Sequence, residues 1–266
     1  MKLTKLLIAF ISISFIGNNF ANAQRGGINW TKDGNGYYQN AGGEIIAITL
    51  PKNDRKTIVS RQLLTPPNAQ NPLNVRSFQL TEDGTKALIY TNTKRVWRQD
   101  SRGDYWVADI TNNTLKQIGK GKPASSLMFA KFSPDATKVA YVSEHNIYVE
   151  DLATGVIKAL TTNGTTRMIN GTFDWVYEEE FSCRDGFEWS PDGKSIAYWQ
   201  IDATKIKNFL MINNTDSIYS FNVPVEYPKV GQDPSACKIG IVDIETAKTN
   251  WLAVPGDNVQ HYIPRM

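Results

Sequence analysis

Short hydrophobic runs, each introduced by a polar turn, recur along the chain. The repeated unit is an apolar residue, two spacers, an aspartate, usually a glycine, and then a strand that ends in aromatic residues. It occurs four times, as WTKDGNGYY, LTEDGTKALIY, FSPDATKVAYV and WSPDGKSIAYW. The aspartates of the four units are Asp33, Asp83, Asp135 and Asp192, at intervals of 50, 52 and 57 residues. A period near fifty predicts stacked copies of one structural unit.

Each unit continues into further strands separated by turns. Strand, aspartate, a few turn residues and strand follow one another in NIYVEDLATGVIKALT and in KIGIVDIETAKTNWLAV. Proline presets φ at the first central turn position, aspartate bonds its own backbone, and glycine accepts positive φ. The pattern therefore predicts a β-meander in each unit, without long helices after residue 23.

Meanders repeated on a radial plan predict an all-β fold of the β-propeller class. The alternative is a β-sandwich with similar hairpins, but sandwiches lack a period this long. We expect about four to five blades of a larger, incomplete propeller over residues 24–266. The ending HYIPRM is interpreted as the opening of a further strand set.

The first 23 residues have the pattern of a signal peptide. Lys2 and Lys5 precede an apolar run, and the small residues of ANA end at Ala23. The run is about half of the ~20 residues that a bilayer requires. We expect cleavage before Gln24 and export to the periplasm or beyond the cell, with no membrane partner.

Composition narrows the function classes. Without the two lysines of the signal the basic count falls from 29 to 27, against 26 acidic residues. A nearly neutral chain gives no reason to expect a nucleic-acid partner. His145 and His261 are the only histidines and lie far apart, so we expect no metal site and no cofactor. Cys183 and Cys237 could pair or remain as two free thiols.

The segment DWVYEEEF, residues 174–181, places three glutamates beside aromatic residues. Taken alone, it has the composition of a solvated acidic turn. Together with WSPDGKSIAYWQID it resembles the dipeptidyl peptidase IV group of the prolyl oligopeptidase family of serine peptidases. VWRQDSRGDYWVADI, HNIYVEDL and VEYPKVG agree in the same order, so that the resemblance spans residues 29–244.

The resemblance implies a propeller of eight blades that covers a C-terminal α/β-hydrolase domain, and removal of dipeptides with Pro or Ala second from peptide N-termini. It implies that Glu179 and Glu180 bind the α-amino group of the substrate, with Glu178 in support. Arg98, which composition alone would class as a surface arginine, matches the arginine that binds a substrate carbonyl and pairs with the glutamates. Trp175 and Tyr177 are expected to pack rather than bind, and Arg95 and Arg102 to be solvated.

The chain contains no Gly-x-Ser-x-Gly motif and no histidine after a plausible nucleophile, so we assign it no catalytic residue. We expect the hydrolase domain beyond Met266, which leaves the enzymatic status of the chain itself open. The hypothesis is the substrate-recognition propeller of a secreted serine dipeptidyl peptidase. The alternative is a non-catalytic periplasmic propeller that binds a peptide or protein partner.

Overall fold

The computed structural model describes residues 28–266, which are almost entirely β structure. The predicted signal peptide and its cleavage point lie outside the described residues. Backbone contacts divide the chain into two compact units, which among the described residues comprise 28–39 with 47–55, and 40–46 with 56–266. Within residues 28–266 no helix is both long and apolar enough to cross a membrane.

Nineteen strands and one short helix follow one another along the described chain. The first sheet has β1 (Asn29–Trp30), β2 (Gly36–Ala41), β3 (Glu44–Thr49) and β4 (Asp54–Val59). The second has β5 (Ser77–Leu80), β6 (Lys86–Val96), β7 (Gln99–Asp109) and β8 (Thr114–Gln117). The third has β9 (Met128–Phe132), β10 (Lys138–Ser143), β11 (Asn146–Asp151) and β12 (Ile157–Ala159).

The last part of the chain comprises β13 (Met168–Asn170), helix α1 (Trp175–Phe181), β14 (Phe187–Trp189), β15 (Ser195–Asp202), β16 (Asn208–Asn213), β17 (Phe221–Glu226), β18 (Ala236–Asp243) and β19 (Thr249–Trp251). The fourth sheet has the order β13-β15-β18-β19, and β14 also pairs with β15. β16 and β17 form a separate two-stranded hairpin.

The first three sheets contain their strands in chain order, and the fourth does so except for the separate hairpin of β16 and β17 between β15 and β18. This arrangement confirms the predicted all-β propeller class. Four blade-like sheets are the lower number of the predicted range. The strand expected in HYIPRM is not formed, and residues 252–266 contain no strand. There the backbone of Ile263 bonds to side chains instead: its N–H donates to the Tyr177 hydroxyl and its carbonyl accepts from the Trp199 indole.

One turn is repeated between the first and second strands of the sheets. In each copy a Thr or Ser hydroxyl donates to the repeat aspartate at 2.6 Å. The same carboxylate accepts a backbone N–H two residues later, at 3.0 to 3.1 Å. These hydrogen bonds lower the pKa of all four aspartates, that of Asp83 to about 2. The sequence repeat is therefore a repeat of one hydrogen-bonded turn.

Apolar side chains fill the spaces between neighbouring sheets in the larger unit. Ala87 and Ile89 of β6 pack in a cluster with residues of β3 and β4, while Leu88 and Tyr90 pack with the third sheet. β10 behaves in the same way, with alternate residues buried toward the second and the fourth sheet. Burial of both faces explains why the inner strands are almost continuously hydrophobic.

The residue after the turn aspartate offers a test of this fold. It has positive φ in every copy and is glycine except at Ala136, where φ is +53°. A left-handed conformation costs a residue with a Cβ about 1 to 2 kcal/mol. We therefore expect Ala136→Gly to raise the free energy of unfolding by about 1 kcal/mol.

Gly84→Ala is the matched reverse change, because a Cβ there meets nothing within 4 Å. It should lower the free energy of unfolding by a similar amount. Urea denaturation of both variants measures the two effects, and changes of the same sign would contradict the shared turn.

Candidate functional site

Helix α1 lies in a segment that interrupts the first strand of the fourth sheet. β13 and β14 both pair with β15, and residues 171–186 leave the sheet between them. At the base of this segment Gly186 donates its N–H to the Gly171 carbonyl at 3.0 Å. A Cβ at Gly186 would lie 2.9 Å from the Gly171 carbonyl carbon. Glycine thus permits the close approach that closes the segment.

Both ends of α1 are capped. The Asp174 carboxylate accepts the Tyr177 N–H at 3.1 Å and the Ser235 hydroxyl at 2.6 Å. At the other end Ser182 has φ +56°, and Cys183 donates its N–H to the Tyr177 carbonyl at 3.0 Å. Aspartate before a run of glutamates is a helix start signal, although no helix was predicted for this segment.

Tyr177 anchors the helix. Its side chain is fully buried, stacks on Phe173 with ring centroids 5.1 Å apart, and contacts Phe181 and Tyr262. Its hydroxyl accepts the Ile263 N–H at 3.0 Å, and burial raises its pKa. The packing role predicted for Tyr177 is confirmed.

The helix directs its three glutamates differently, since successive positions differ by about 100°. Glu178 is half-buried, the side chain of Glu179 is 16% exposed, and Glu180 is exposed. The Glu179 carboxyl group is therefore largely removed from water. Such a carboxylate needs a partner.

The partner is Arg98, at the tip of the hairpin formed by β6 and β7. Val96 pairs with Gln99, and a two-residue turn of Trp97 and Arg98 joins the strands. Arg98 Nε lies 2.7 Å from Glu179 Oε2. Because 81% of the Arg98 side chain is exposed, the pair adds little to stability. The ion pair holds the Arg98 guanidinium beside helix α1.

A cavity of about 220 Å³ lies between the hairpin tip and α1. It is lined by Arg98, Gln99, Glu178, Glu179, Ser182 and Arg184. Glu180 is not among the lining residues. The structure therefore brings Arg98 and Glu179 together and places Glu180 on the neighbouring surface. Burial, followed by the charges of Asp174 and Glu180, raises the pKa of Tyr262 there. The shared role of Glu179 and Glu180 stays a prediction.

Sequence reasoning missed Arg184. Its Nη1 donates to the Ser101 hydroxyl of β7 at 3.0 Å, so it links the segment after α1 to the strand leading from the hairpin tip. A basic residue four positions after an acidic run was the available signal. Arg102 is half-buried rather than solvated, whereas Arg95 is exposed as expected.

Burial raises the pKa of the Glu178 carboxyl to about 7; the Arg184 guanidinium opposes this shift and the Glu179 charge adds to it. Glu178 therefore titrates near neutral pH beside the paired Glu179.

Three further residues have definite positions in or near the helix. Trp175 packs on Tyr227 with ring centroids 4.5 Å apart and also lines a second cavity. Cys183 and Cys237 are buried free thiols, which answers the question of pairing that the sequence left open.

Comparison with known proteins shows the class of this propeller. The family model described as the dipeptidyl peptidase IV N-terminal region matches residues 81–266. The chain belongs to that family, as the sequence resemblance indicated.

Particular relatives agree with this assignment. Dipeptidyl aminopeptidase B of Saccharomyces cerevisiae is 33% identical over 169 residues, which are 62% of this chain and 20% of the relative. Prolyl endopeptidase FAP of Homo sapiens is 27% identical over 217 residues, or 81% of this chain and 28% of the relative. The chain thus spans between 20% and 28% of the length of these relatives.

The fold is shared with a solved structure, dipeptidyl peptidase 4 of Porphyromonas gingivalis. The TM-score is 0.80 at 24% identity, over 90% of this chain and 34% of the other. This likeness confirms the propeller fold.

The raised pKa of Glu178 has a measurable consequence for stability. A carboxyl with a folded pKa above its usual 4.5 destabilises the folded state at high pH, and this cost disappears as the pH falls from above 7 toward 4.5. Glu178→Gln removes the charge at every pH. We expect it to raise the Tm at pH 8 by more than at pH 5.

Thermal unfolding at the two pH values measures the difference, with Glu245→Gln on the exposed surface as the control. An equal fall in Tm at both pH values for Glu178→Gln would show that the carboxylate is stabilising instead.

Proposed function

We propose that this chain is the substrate-recognition propeller of an exported serine dipeptidyl peptidase that removes N-terminal Xaa-Pro or Xaa-Ala dipeptides. Glu179 and Glu180 bind the α-amino group of the substrate, and Arg98 binds a substrate carbonyl. The observation that carries the proposal is the 2.7 Å contact between Arg98 and Glu179 at the edge of the cavity beside α1. Export rests on the pattern of the first 23 residues.

The chemistry of a peptide N-terminus fits this site. Its ammonium group has three N–H donors and a pKa of about 8, so it is largely charged at neutral pH. Charge-assisted hydrogen bonds to carboxylates are roughly twice as strong as neutral ones. Glu179 supplies one carboxylate inside the cavity, and Glu180 supplies a second from the adjoining helix position.

Arg98 can serve both partners at once. A guanidinium has five N–H donors, and the contact with Glu179 uses Nε. The remaining donors can bind a carbonyl of the peptide while the ion pair persists. Because the side chain is largely exposed, it can adjust to the peptide without leaving a buried site.

Holding the N-terminus at a fixed point sets the cleavage position. A site that binds the ammonium group defines the distance to the scissile bond, and cleavage after the second residue follows from this positioning. The propeller then contributes orientation, while the nucleophile belongs to the hydrolase domain that the proposal requires.

The test is charge removal in the protein expressed from its complete gene. Glu179→Gln and Glu180→Gln preserve shape. In the complex each carboxylate is one partner of a charge pair buried with the substrate ammonium, and truncating such a partner costs about 2 to 5 kcal/mol. We expect kcat/KM for an Xaa-Pro substrate to fall roughly 30-fold to several thousand-fold. The loss should be larger for Glu179, which lines the cavity.

Two controls define the result. Glu178→Gln should cost much less, because Glu178 is already partly neutral near pH 7. An N-acetylated substrate, which has no ammonium group, should respond little to any of the changes. If both Glu179→Gln and Glu180→Gln stay within about threefold of the wild type, the glutamates are a solvated surface. Binding that depends on Glu179 without release of a dipeptide would favour the non-catalytic propeller.

A further inference from the structure

Arg184 joins the segment that contains α1 to the hairpin whose tip holds Arg98. Its Nη1 donates to the Ser101 hydroxyl of β7 at 3.0 Å, although the two residues lie 83 positions apart in the sequence. Ser101 is 2% exposed and Arg184 is half-buried. Hydrogen bonds from a charged donor are stronger than neutral ones, so this contact is a firm link between distant parts of the chain.

Ser101 is held firmly within β7. The Tyr90 hydroxyl of β6 lies 3.0 Å and 2.9 Å from the backbone carbonyls of the two residues that flank Ser101. Two positions after Ser101, Gly103 exchanges two backbone hydrogen bonds with Leu127, at 3.0 and 3.1 Å. Leu127 directly precedes β9, the first strand of the third sheet. The acceptor of the Arg184 hydrogen bond is therefore supported by the second and third sheets.

The other end of the link is the chain that leaves α1. There the carboxylate of Asp185 lies 2.9 Å from Lys131 Nζ of β9. The guanidinium of Arg184 lies over the Phe129 ring, 6.0 Å from its centroid. Lys131 thus connects this chain to the third sheet, whereas Arg184 connects it to the strand that begins beside Arg98.

Arg184 also balances charge in the cavity of about 220 Å³ beside α1. Its lining includes two guanidinium groups, of Arg98 and Arg184, and two carboxyl groups, of Glu178 and Glu179. The Arg184 guanidinium opposes the rise in the Glu178 pKa that burial causes. Since neighbouring carboxylates repel each other, a cation between α1 and β7 keeps the acidic helix close to the hairpin.

The ion pair of Arg98 and Glu179 holds the two elements together only weakly, because the Arg98 side chain is 81% exposed. We propose that Arg184 is a positioning residue for the amine site: it fixes α1 against β7, so that Glu179 and Arg98 meet the peptide N-terminus together. The inference rests on the proposed function. Arg184 acts through Glu179, so its contribution disappears when the Glu179 carboxylate is absent.

The experiment is a double-mutant cycle between Arg184 and Glu179 in the protein expressed from its complete gene. Arg184→Gln removes the charged donor, and a small misplacement of a binding group lowers the rate strongly. We expect kcat/KM for a chromogenic Xaa-Pro substrate to fall roughly 10- to 100-fold. In the Glu179→Gln background the same change should cost less than about threefold, because residues that act as a unit are not additive.

Three further variants test the hydrogen bond itself. Ser101→Ala removes the acceptor and leaves Arg184 charged; it should lower kcat/KM, and adding it to Arg184→Gln should have little further effect. Arg184→Lys keeps a charged donor and should lose less activity than Arg184→Gln. Arg95→Gln changes an exposed arginine of β6 and should leave kcat/KM unchanged. If Arg184→Gln does not fold, Ser101→Ala takes its place in the cycle with Glu179→Gln.

The outcomes distinguish this inference from the proposed function. If Glu179→Gln lowers kcat/KM while Arg184→Gln and Ser101→Ala do not, the amine site stands and the positioning role is refuted. If Arg184→Gln costs the same factor with and without the Glu179 carboxylate, Arg184 acts independently of Glu179 and the inference is again refuted. If Glu179→Gln itself has no effect, the proposed function fails and the inference falls with it.

Discussion

The burial of Tyr177 is the constraint on which the candidate site depends. The ring is fully buried among aromatic residues, and its hydroxyl accepts the backbone N–H of Ile263. Leaving such a buried partner unpaired costs about 1 to 3 kcal/mol, so α1 cannot rotate without losing both the packing and the hydrogen bond. The direction of Glu179, two residues later, follows from this fixed rotation.

Arg98, the partner of Glu179, is positioned by the second sheet. Residues 87–90 of β6 are buried on both faces of the second sheet. The hairpin of β6 and β7 extends from there to its turn at Trp97 and Arg98. A hairpin supported in this way positions its tip more accurately than a free loop can. Arg98 and Glu179 are far apart along the chain, and the ion pair forms where the exposed tip of the β6–β7 hairpin meets α1.

Local sequence patterns predicted the blades. The hydrogen bonds of each repeated turn join residues close together in sequence, such as Thr81 and Thr85 to Asp83. The short hydrophobic runs of the inner strands were equally evident in the sequence. Arg98 and the glutamates were identified by family resemblance and not by local chemistry. α1, Arg184 and the hairpin of β16 and β17 were missed. Their positions depend on distant partners, such as Ser101 for Arg184, that no short window of sequence contains.

The central claim is that Glu179 faces the ammonium group of a peptide. Titration of a dipeptide with a ¹⁵N-labelled amino group, followed by NMR in the bound state, measures this interaction directly. A nearby carboxylate favours the charged form, so the amino pKa should be higher in the complex than in the free dipeptide, and Glu179→Gln should abolish most of the increase. An amino pKa that stays the same or falls on binding to the wild-type protein would contradict the account.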